Sequence, residues 1–514
     1  MLIHPRVCLP PVIMSSFRRV PILPCPGAAS IAFTPGSATG HPLEAPQITH
    51  ISETTHQHLR LAASHLHASR LVAFPTETVY GLGANTLDPA AVAKVYALKG
   101  RPSDNPLIVH VSSLRMLRSL IPQDQQNISD LYLALIDAFW PGPLTLLFPA
   151  RNPPCRPPAP QTIGIRLPSH PLARALISEA DLPISAPSAN SSGRPSPTSA
   201  AHVFADLGSK GAQPVLGPRG EVVDETGMLG CILDAGPCDV GVESTVVDGT
   251  LWSSEPTSTR LLKVLRPGGI GVEQIGKVVA ALDDRLGFTG TDRTRVWVYG
   301  RDPPSDLTKS TTPATSTIHS PRPQLYPPRT TASPSSGSSR PEIHNPSTPG
   351  MKYKHYSPSI PVYLLYPTNT FPRDPSHNRA HGQPVRPELA NVSHERTPIT
   401  LRFGLMAFDD SPLSRAIGTN ITVNVAIEIK SLGRTEDDAA RALFRDMLAL
   451  ESTPSLQASV RGVDAILIEA CSDNGVGLAV MERVNKAVGG GGVKGLGLGG
   501  AGEAEKRFWV DVAR

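Results

Sequence analysis

Five cations before residue 270 stand at turns or strand ends rather than in mid-helix: Lys99, Arg101, Arg166, Arg194 and Arg266. Between them lie stretches of hydroxyl-bearing and small residues. These are Pro75-Thr76-Glu77-Thr78, Ser185-Ala186-Pro187-Ser188-Ala189-Asn190 and Gly193-Arg194-Pro195-Ser196. A guanidinium fork binds carboxylate or phosphate bidentately, and hydroxyls and N–H groups of small-residue loops cradle phosphates. Ligands of α/β sheets gather at strand ends. The chemistry that fits is an anion site, with a nucleotide as the natural occupant. Any one of these arginines taken alone reads as a solvated surface cation, so the reading rests on the set.

Several familiar chemistries are absent. Gly81-Leu82-Gly83 is followed by Thr86 where a dinucleotide fingerprint needs a third glycine, and no P-loop pattern occurs. Ser188 lacks the G-x-S-x-G setting of a nucleophile elbow. Glu243, in a tight turn, reads as structural; Asp88 and Asp104 read as caps; His110 reads as a strand histidine. The six cysteines (Cys8, Cys25, Cys155, Cys231, Cys238 and Cys471) are scattered with no C-x-x-C pair. They read as reduced thiols of an intracellular protein, with no zinc site expected.

The elements that must position these residues start at Leu71. Leu71 to Phe74 is an apolar strand, and Pro75 to Thr78 breaks it. Gly81 and Gly83 allow a sharp turn or a close ligand approach. Asp88-Pro89 opens a short helix with Val92, Val95 and Tyr96 on one face, and Gly100 and Pro102 close it. Leu107 to Val111 resumes a strand. Further along, helices are predicted over Ser52 to Ala68, Asp130 to Phe139, His170 to Ala180 (capped by Ser169), Ala200 to Leu207 and Val272 to Leu282. Strands are predicted over Leu144 to Phe148, Thr162 to Leu167, Cys231 to Asp234, Ser244 to Asp248 and Leu261 to Leu265. Residues 185–193 read as loop and 212–230 as a surface insertion. Alternating short strands and helices mean an α/β domain.

A chain of 514 residues with 54 prolines is too long for one domain and carries long stretches without a core. Residues 302–349 are dominated by Pro, Ser, Thr and Arg and read as a linker. A second α/β unit follows. Its strands are Pro361 to Tyr366, Leu401 to Met406, Ile421 to Ile429, Ala465 to Glu469 and Phe508 to Val512. Its helices are Asp437 to Leu450 and Gly475 to Ala487. Residues 367–398 and 489–502 read as insertions. A net charge of +4 confines any nucleic-acid affinity to a local patch. No apolar run reaches the length of a membrane span. Residues 1–43 contain no acidic residue but do contain Arg6, Arg18 and Arg19, as a mitochondrial presequence would. The prolines at 5, 10, 11, 21, 24 and 26 argue against the amphipathic helix such a signal needs, so a disordered leader stands beside that reading.

The segments Phe74-Pro75-Thr76-Glu77-Thr78-Val79-Tyr80-Gly81-Leu82, Lys99-Gly100-Arg101-Pro102 with Asn105-Pro106-Leu107, Ser185 to Asn190, Gly193 to Thr198, and Gly241-Val242-Glu243-Ser244-Thr245-Val246-Val247-Asp248 together resemble the YrdC/Sua5 family. The tail from Pro349-Gly350-Met351 resembles the extra C-terminal domain of its longer members. The resemblance implies an α/β fold: a YrdC-like twisted mixed sheet with helices, plus a smaller Rossmann-like α/β C-terminal domain. The expected organisation is a leader over 1–50, a catalytic domain over 51–285, a linker over 286–357 and the C-terminal domain over 358–514.

The resemblance also implies a reaction. L-threonine, bicarbonate or CO2, and ATP give L-threonylcarbamoyl-AMP and pyrophosphate, for modification of adenosine 37 in tRNAs reading ANN codons. Lys99, Arg101, Ser188 and Asn190 match the family's catalytic set around the phosphates. Arg101, Asn105, Thr162, Ser188, Ser196, Arg266 and Tyr356 match ATP contacts. Thr78, His110, Arg166, Ala186 and Ser244 match the threonine pocket. Tyr356 makes Gly350 to Pro358 a lid over the nucleotide. ATP is a substrate, and Mg2+ is expected with it without a dedicated protein site. The downstream partner is a tRNA-modifying threonylcarbamoyl transferase complex, with weak tRNA or RNA binding as a further expectation and no membrane. The expected location is cytoplasmic, with a mitochondrial one beside it. Two other readings are an RNA-binding module and a carbamoyl transfer in metal-centre maturation. The sparse cations speak against the first, and the missing cysteine pairs against the second.

Overall fold

The computed structural model describes residues 19–36, 40–150, 162–216, 222–224, 227–255, 260–299, 355–367, 401–417, 425–452, 462–490 and 506–510. The linker over 302–349 lies outside the described residues, as do most of the 367–398 and 489–502 insertions.

The first domain runs β1 (Ile22–Pro24), β2 (Ala32–Thr34), β3 (Gln47–His50), α1 (Glu53–His67), β4 (Leu71–Phe74), β5 (Gly81–Asn85), α2 (Pro89–Lys99), β6 (Val109–His110), α3 (Leu114–Leu120) and α4 (Asp130–Phe139). It continues with β7 (Leu144–Pro149), β8 (Thr162–Arg166), α5 (Pro171–Ala180), β9 (Ile184–Ser185), α6 (Ala200–Val203), α7 (Ser209–Gly211), β10 (Val215–Leu216) and β11 (Val222–Asp224). It ends with β12 (Leu229–Asp234), β13 (Thr245–Asp248), β14 (Leu261–Arg266), α8 (Val272–Leu286) and β15 (Arg295–Val298). Eleven strands form one mixed sheet in the order β1-β12-β4-β5-β9-β6-β8-β7-β13-β14-β15.

Strand β4 shows why the sheet is covered on both faces. Val72 and Phe74 join a core with α1 and α5, while Leu71 and Ala73 join another with α2 and α6. An all-apolar strand is what such double coverage requires. Around the other end of the sheet, α3, α4 and α8 bury Leu114, Leu135 and Ile275 against Leu146, Ile165 and Val264.

The expected caps of α2 are present. Asp88 Oδ1 accepts from the Ala90 N–H at 2.9 Å, and Gly100 closes the helix at φ +59°. Several expectations are corrected. The leader is folded from Arg19 on; β1 pairs in parallel with β12, and Val20, Cys25, Ala28 and Ile31 are buried. The domain extends past 285, because α8 runs to Leu286 and β15 pairs with β14. His170, not Ser169, caps α5, its Nδ1 accepting from the Leu172 N–H at 3.2 Å. The 212–230 insertion holds the β10–β11 hairpin, and its end starts β12. Residues 185–193 begin inside β9, and the strand expected over Leu107 to Val111 shrinks to β6. Gly83 serves packing rather than a ligand: a Cβ there would lie 2.7 Å from Phe74 and 2.8 Å from Ile184.

The second domain comprises β16 (Val362–Pro367), β17 (Leu401–Ala407), α9 (Pro412–Ile417), β18 (Val425–Ser431), α10 (Glu436–Ser452), β19 (Ala465–Glu469), α11 (Gly477–Gly490) and β20 (Arg507–Val510). Its five strands are all parallel, in the order β18-β17-β19-β16-β20. Helices α10 and α11 cover one face, with Ala440, Leu443, Met447 and Leu450 buried as their spacing predicts. Of the apolar alternation expected over 421–429, Ile421 and Val423 lie outside the described residues, Ile427 packs against the Leu365 and Leu405 core, and Ile429 is 52% exposed because β18 is an edge strand. The two domains share a core, since Val79, Val242 and Tyr356 pack in the cluster that contains Phe444 and Val484. Among the described residues no helix is long and apolar enough to cross a membrane.

Candidate active site

A cleft opens at the ends of the central strands, beside the end of the linker. Thr76, Thr78, Gly81, His110, Arg166, Ala186 and Ser244 line it, together with Arg101, Ser188, Asn190, Arg194, Ser196, Glu243, Arg266, His355 and Tyr356.

The sheet ladder builds one end. His110 pairs with Arg166 on one side and Ile184 on the other, so the ends of β6, β8 and β9 stand together. Thr76 Oγ1 accepts from the N–H groups of Thr78 and Val79 at 3.2 and 3.3 Å, which folds the turn after β4. Thr78 Oγ1 lies 2.8 Å from Thr76 Oγ1 and accepts from Arg166 Nη1 at 2.9 Å. Arg166 Nε donates to the Gly142 carbonyl at 3.2 Å, and Nη2 to Glu77 Oε1 at 2.5 Å. Those bonds use three of the five guanidinium N–H groups, leaving one on each terminal nitrogen for a carboxylate fork. Arg166 and Glu77 are both buried, so each compensates the other's desolvation. His110 Nδ1 is buried without a partner. Burial, with the Arg166 charge adding to it, pulls the His110 imidazole down to about 3. It is therefore neutral at physiological pH, with one nitrogen to donate and one to accept. Ser244 Oγ lies 2.8 Å from Thr145 Oγ1.

The other end is made of loops. Arg101 follows the Gly100 turn; its Nε and Nη2 donate to the Asn105 carbonyl (3.0 Å), Asn105 Oδ1 (2.7 Å) and the Pro106 carbonyl (2.9 Å). Burial lowers it to about 10, so it keeps its charge. Arg266 ends β14 and donates from Nη2 to the Ser244 carbonyl at 2.8 Å and Ser244 Oγ at 3.2 Å. Lys99 is buried behind the cleft, its Nζ donating to the carbonyls of Ser188 and Asn190. Burial, and then the Arg101 charge, holds its ammonium well below the usual lysine range. Asn190 Nδ2 bonds the carbonyls of Ser191 and Arg194, each at 2.9 Å, which leaves Oδ1 buried and unpaired.

Of the residues expected at the site, Thr78, Arg101, His110, Arg166, Ala186, Ser188, Asn190, Ser196, Ser244, Arg266 and Tyr356 line the cleft. Lys99, Asn105 and Thr162 do not. Lys99 holds the Ser188 loop, Asn105 holds Arg101, and Thr162 sits at the start of β8, at the opposite end of that strand from Arg166.

Four residues that sequence reasoning left without a role now have one. Glu77 holds Arg166. Glu243, read as merely structural, accepts from Ser196 Oγ at 2.5 Å and from Arg483 Nε at 3.0 Å. His355 lines the cleft beside Tyr356. Arg483 reaches in from α11. The signal for Arg483 was a charge on an apolar stripe, with Val480, Val484 and Ala487 on the same helix face. Tyr356 is buried at φ +67°, stacked on Phe444 of α10 with ring centroids 5.4 Å apart. The Ser357 N–H donates to the Gly193 carbonyl at 2.8 Å, pinning the end of the linker to the loop that carries Ser196.

Residues 64–268 match the Sua5, YciO and YrdC family model, whose description reads telomere recombination, and residues 324–489 match the model described as the threonylcarbamoyl-AMP synthase C-terminal domain. The threonylcarbamoyl-AMP synthase of Pyrococcus abyssi is 33% identical over 436 residues, covering 84% of this chain and 94% of that protein. The chain belongs to the YrdC/Sua5 family. The synthase of Schizosaccharomyces pombe is 33% identical over 477 residues, covering 88% of this chain and 93% of its own length. The crystal structure of P. abyssi Sua5 complexed with L-threonine is similar at TM-score 0.52 and 29% identity, over 90% of this chain and 98% of that one. Both domains of this YrdC/Sua5 member are thus represented in its relatives.

Proposed function

We propose that this chain joins L-threonine, bicarbonate or CO2, and ATP into L-threonylcarbamoyl-AMP and pyrophosphate. One observation carries the reading. A single cleft holds a buried arginine with two open N–H groups and a neutral histidine at one end, and Arg101, Arg266 and a stacked tyrosine at the other. That is a place for an amino acid and a nucleotide side by side.

Arg166 receives the threonine carboxylate. Thr78, His110, Ser244 and the backbone at Ala186 serve its amine and hydroxyl. The amine nitrogen attacks CO2 and loses a proton, giving a carbamate. A carbamate oxygen then bonds to the α-phosphorus while the bond to the β-phosphate bridge breaks, and pyrophosphate leaves with its electron pair. No protein nucleophile is needed, so positioning and charge neutralisation supply the rate. Arg101 and Arg266 neutralise phosphate charge. Ser188 and Ser196 offer hydroxyls to the nucleotide, while Lys99, Asn105 and Asn190 hold the loops that present these groups.

Among the described residues no cluster of three His, Cys, Asp or Glu side chains is placed to share a metal ion. Glu243, the carboxylate that lines the cleft, is taken up by Ser196 and Arg483. Magnesium is expected to accompany ATP. The product is an activated carbamoyl group, which a threonylcarbamoyl transferase complex would pass to adenosine 37 of tRNAs reading ANN codons. A cytoplasmic location suits that use, with a mitochondrial pool beside it. Incubating the purified chain with ATP, bicarbonate and labelled threonine tests the reading. Labelled threonylcarbamoyl-AMP with stoichiometric pyrophosphate is expected, and ATP turnover independent of threonine would refute it.

A further inference from the structure

Arg483 is fully buried on the inward face of α11. A guanidinium removed from water is strongly destabilising unless it is paired. Its own domain offers little: the Ala479 carbonyl at 3.4 Å and Glu482 Oε2 at 3.2 Å. Its shorter bonds cross to the first domain, from Nε to Glu243 Oε2 at 3.0 Å and from Nη1 to the Pro267 carbonyl at 2.6 Å. The guanidinium carbon also lies 5.5 Å from the centroid of the Tyr356 ring.

Each of these partners leads to the nucleotide end of the cleft. Glu243 uses its other oxygen to accept from Ser196 Oγ at 2.5 Å. Pro267 directly follows Arg266. Burial alone would raise the Glu243 carboxyl, but the charges of Arg483 and Arg266 hold it below its usual range. Arg266 lines the same cleft as Glu243. Close backbone contact reinforces the junction. Gly241, at φ +79°, lies so near α10 that a Cβ would meet the Ala440 carbonyl oxygen at 2.4 Å. The Val240 and Gly241 N–H groups in turn donate to the carbonyls of Glu77 and Thr78 at 2.8 and 3.1 Å.

We propose that Arg483 of the C-terminal domain is a positioning residue of the ATP site, fixing Ser196 through Glu243 and Arg266 through Pro267. The C-terminal domain then does more than cover the cleft: it completes the nucleotide half of it. Without Arg483, Glu243 loses the partner that fixes its carboxylate, Ser196 loses its fixed acceptor, and the Pro267 carbonyl beside Arg266 is no longer held. None of the bonds of Arg483 reaches Arg166, Thr78 or His110, so the carboxylate fork keeps its own partners.

This inference rests on the proposed ATP-dependent reaction, and direct binding separates the two. Full-length wild type, Arg483→Met, Arg483→Lys, Glu243→Gln and the Arg483→Met/Glu243→Gln pair are compared. ATP and threonine affinities are measured separately by calorimetry, KM and kcat in the synthase assay, and folding by thermal unfolding. Arg483→Met and Glu243→Gln should each weaken ATP roughly tenfold or more, as expected for loss of a charged hydrogen bond. Threonine affinity in the absence of ATP should stay within about twofold, and the lysine variant should recover part of the ATP affinity. The double variant, with no unpaired buried charge, should regain thermal stability but not ATP affinity. ATP affinity unchanged in Arg483→Met overturns the proposal. So does parallel loss of ATP and threonine binding, or recovery of ATP affinity along with stability in the double variant. Wild type that binds ATP but makes no threonylcarbamoyl-AMP would refute the reaction while the ATP affinities still decide the role of Arg483. Wild type that binds no ATP refutes both.

Discussion

Arg166 and Arg266 are both buried arginines at strand ends, yet their surroundings differ in origin. Arg166 is held by Gly142, Thr78 and Glu77, all from the first domain and close to strand ends of one sheet. Arg266 stands where loops of the first domain meet α11 and the end of the linker, with Arg483, Glu243 and Tyr356 acting on it. The proposed amino-acid end is thus preorganised by the ladder itself. The proposed nucleotide end is assembled only when three separate segments come together. A small substrate needs a rigid fork, whereas a triphosphate that must enter and a pyrophosphate that must leave need a wall that can part.

The sharpest break in that comparison is Arg166→Ala. It should abolish threonine binding, with a loss of about a thousandfold or more, since it removes both the carboxylate fork and the partner of buried Glu77. ATP affinity measured alone should survive; loss of both would mean the two ends are one unit. Arg101→Ala should cut threonylcarbamoyl-AMP formation by roughly a hundredfold or more with the fold retained. Near-normal pyrophosphate release would remove Arg101 from the phosphate role.

Acid should strike both ends, because burial holds His110 and His355 each down to about 3. An unfolded imidazole takes up its proton near pH 6.5 and these folded ones only near 3. Stability is therefore full above pH 6.5 and lost as pH falls toward 3, by up to about 1.4 kcal/mol per unit for each ring. Replacing His355 with glutamine should lower the slope in a pH series of denaturant melts by up to about 1.4 kcal/mol per unit. A slope that does not change would place the sensitivity elsewhere.

Tyr356→Ala should raise the dissociation rate of ATP by about tenfold and leave threonine untouched, as removal of a lid residue does. Unchanged nucleotide release would confine Tyr356 to packing on Phe444. The smallest effect is expected from Glu451→Gln. Glu451 accepts from Arg194 at 2.8 and 3.2 Å, but Arg194 is partly exposed. Such pairs contribute about 0–1 kcal/mol, so the melting temperature and the ATP KM should barely move. A large effect here would mean that the domain junction depends on its rim as well as on Arg483.

Much of the first domain was legible because local chemistry and tertiary structure agree there. Asp88, Pro89 and Gly100 end α2 as their types require, and the unbroken apolar run of β4 demanded cover on both faces. What failed had a physical cause in each case. Residues 19–50 are poor in periodicity and rich in proline, and they gain structure by adding β1 to an edge that the sequence cannot display. The alternation in β18 is real, but an edge position leaves Ile429 in solvent. Ser169 and His170 are both able to cap, and only the backbone path chose between them.

The sequence by itself determined the residue types of the site and the family to which they point, because a Lys-Gly-Arg with the cap glycine at its centre, hydroxyl-rich turns and a Gly-Val-Glu-Ser-Thr stretch are local features. Only the tertiary structure decided which of those residues face the cleft and which stand behind it. Lys99 and Arg101 are two positions apart, yet the helix end turns one inward to hold carbonyls and the other toward the cleft. Only the tertiary structure, too, could bring Arg483 to Glu243, since a pair 240 residues apart is joined by domain docking and by nothing the chain carries locally.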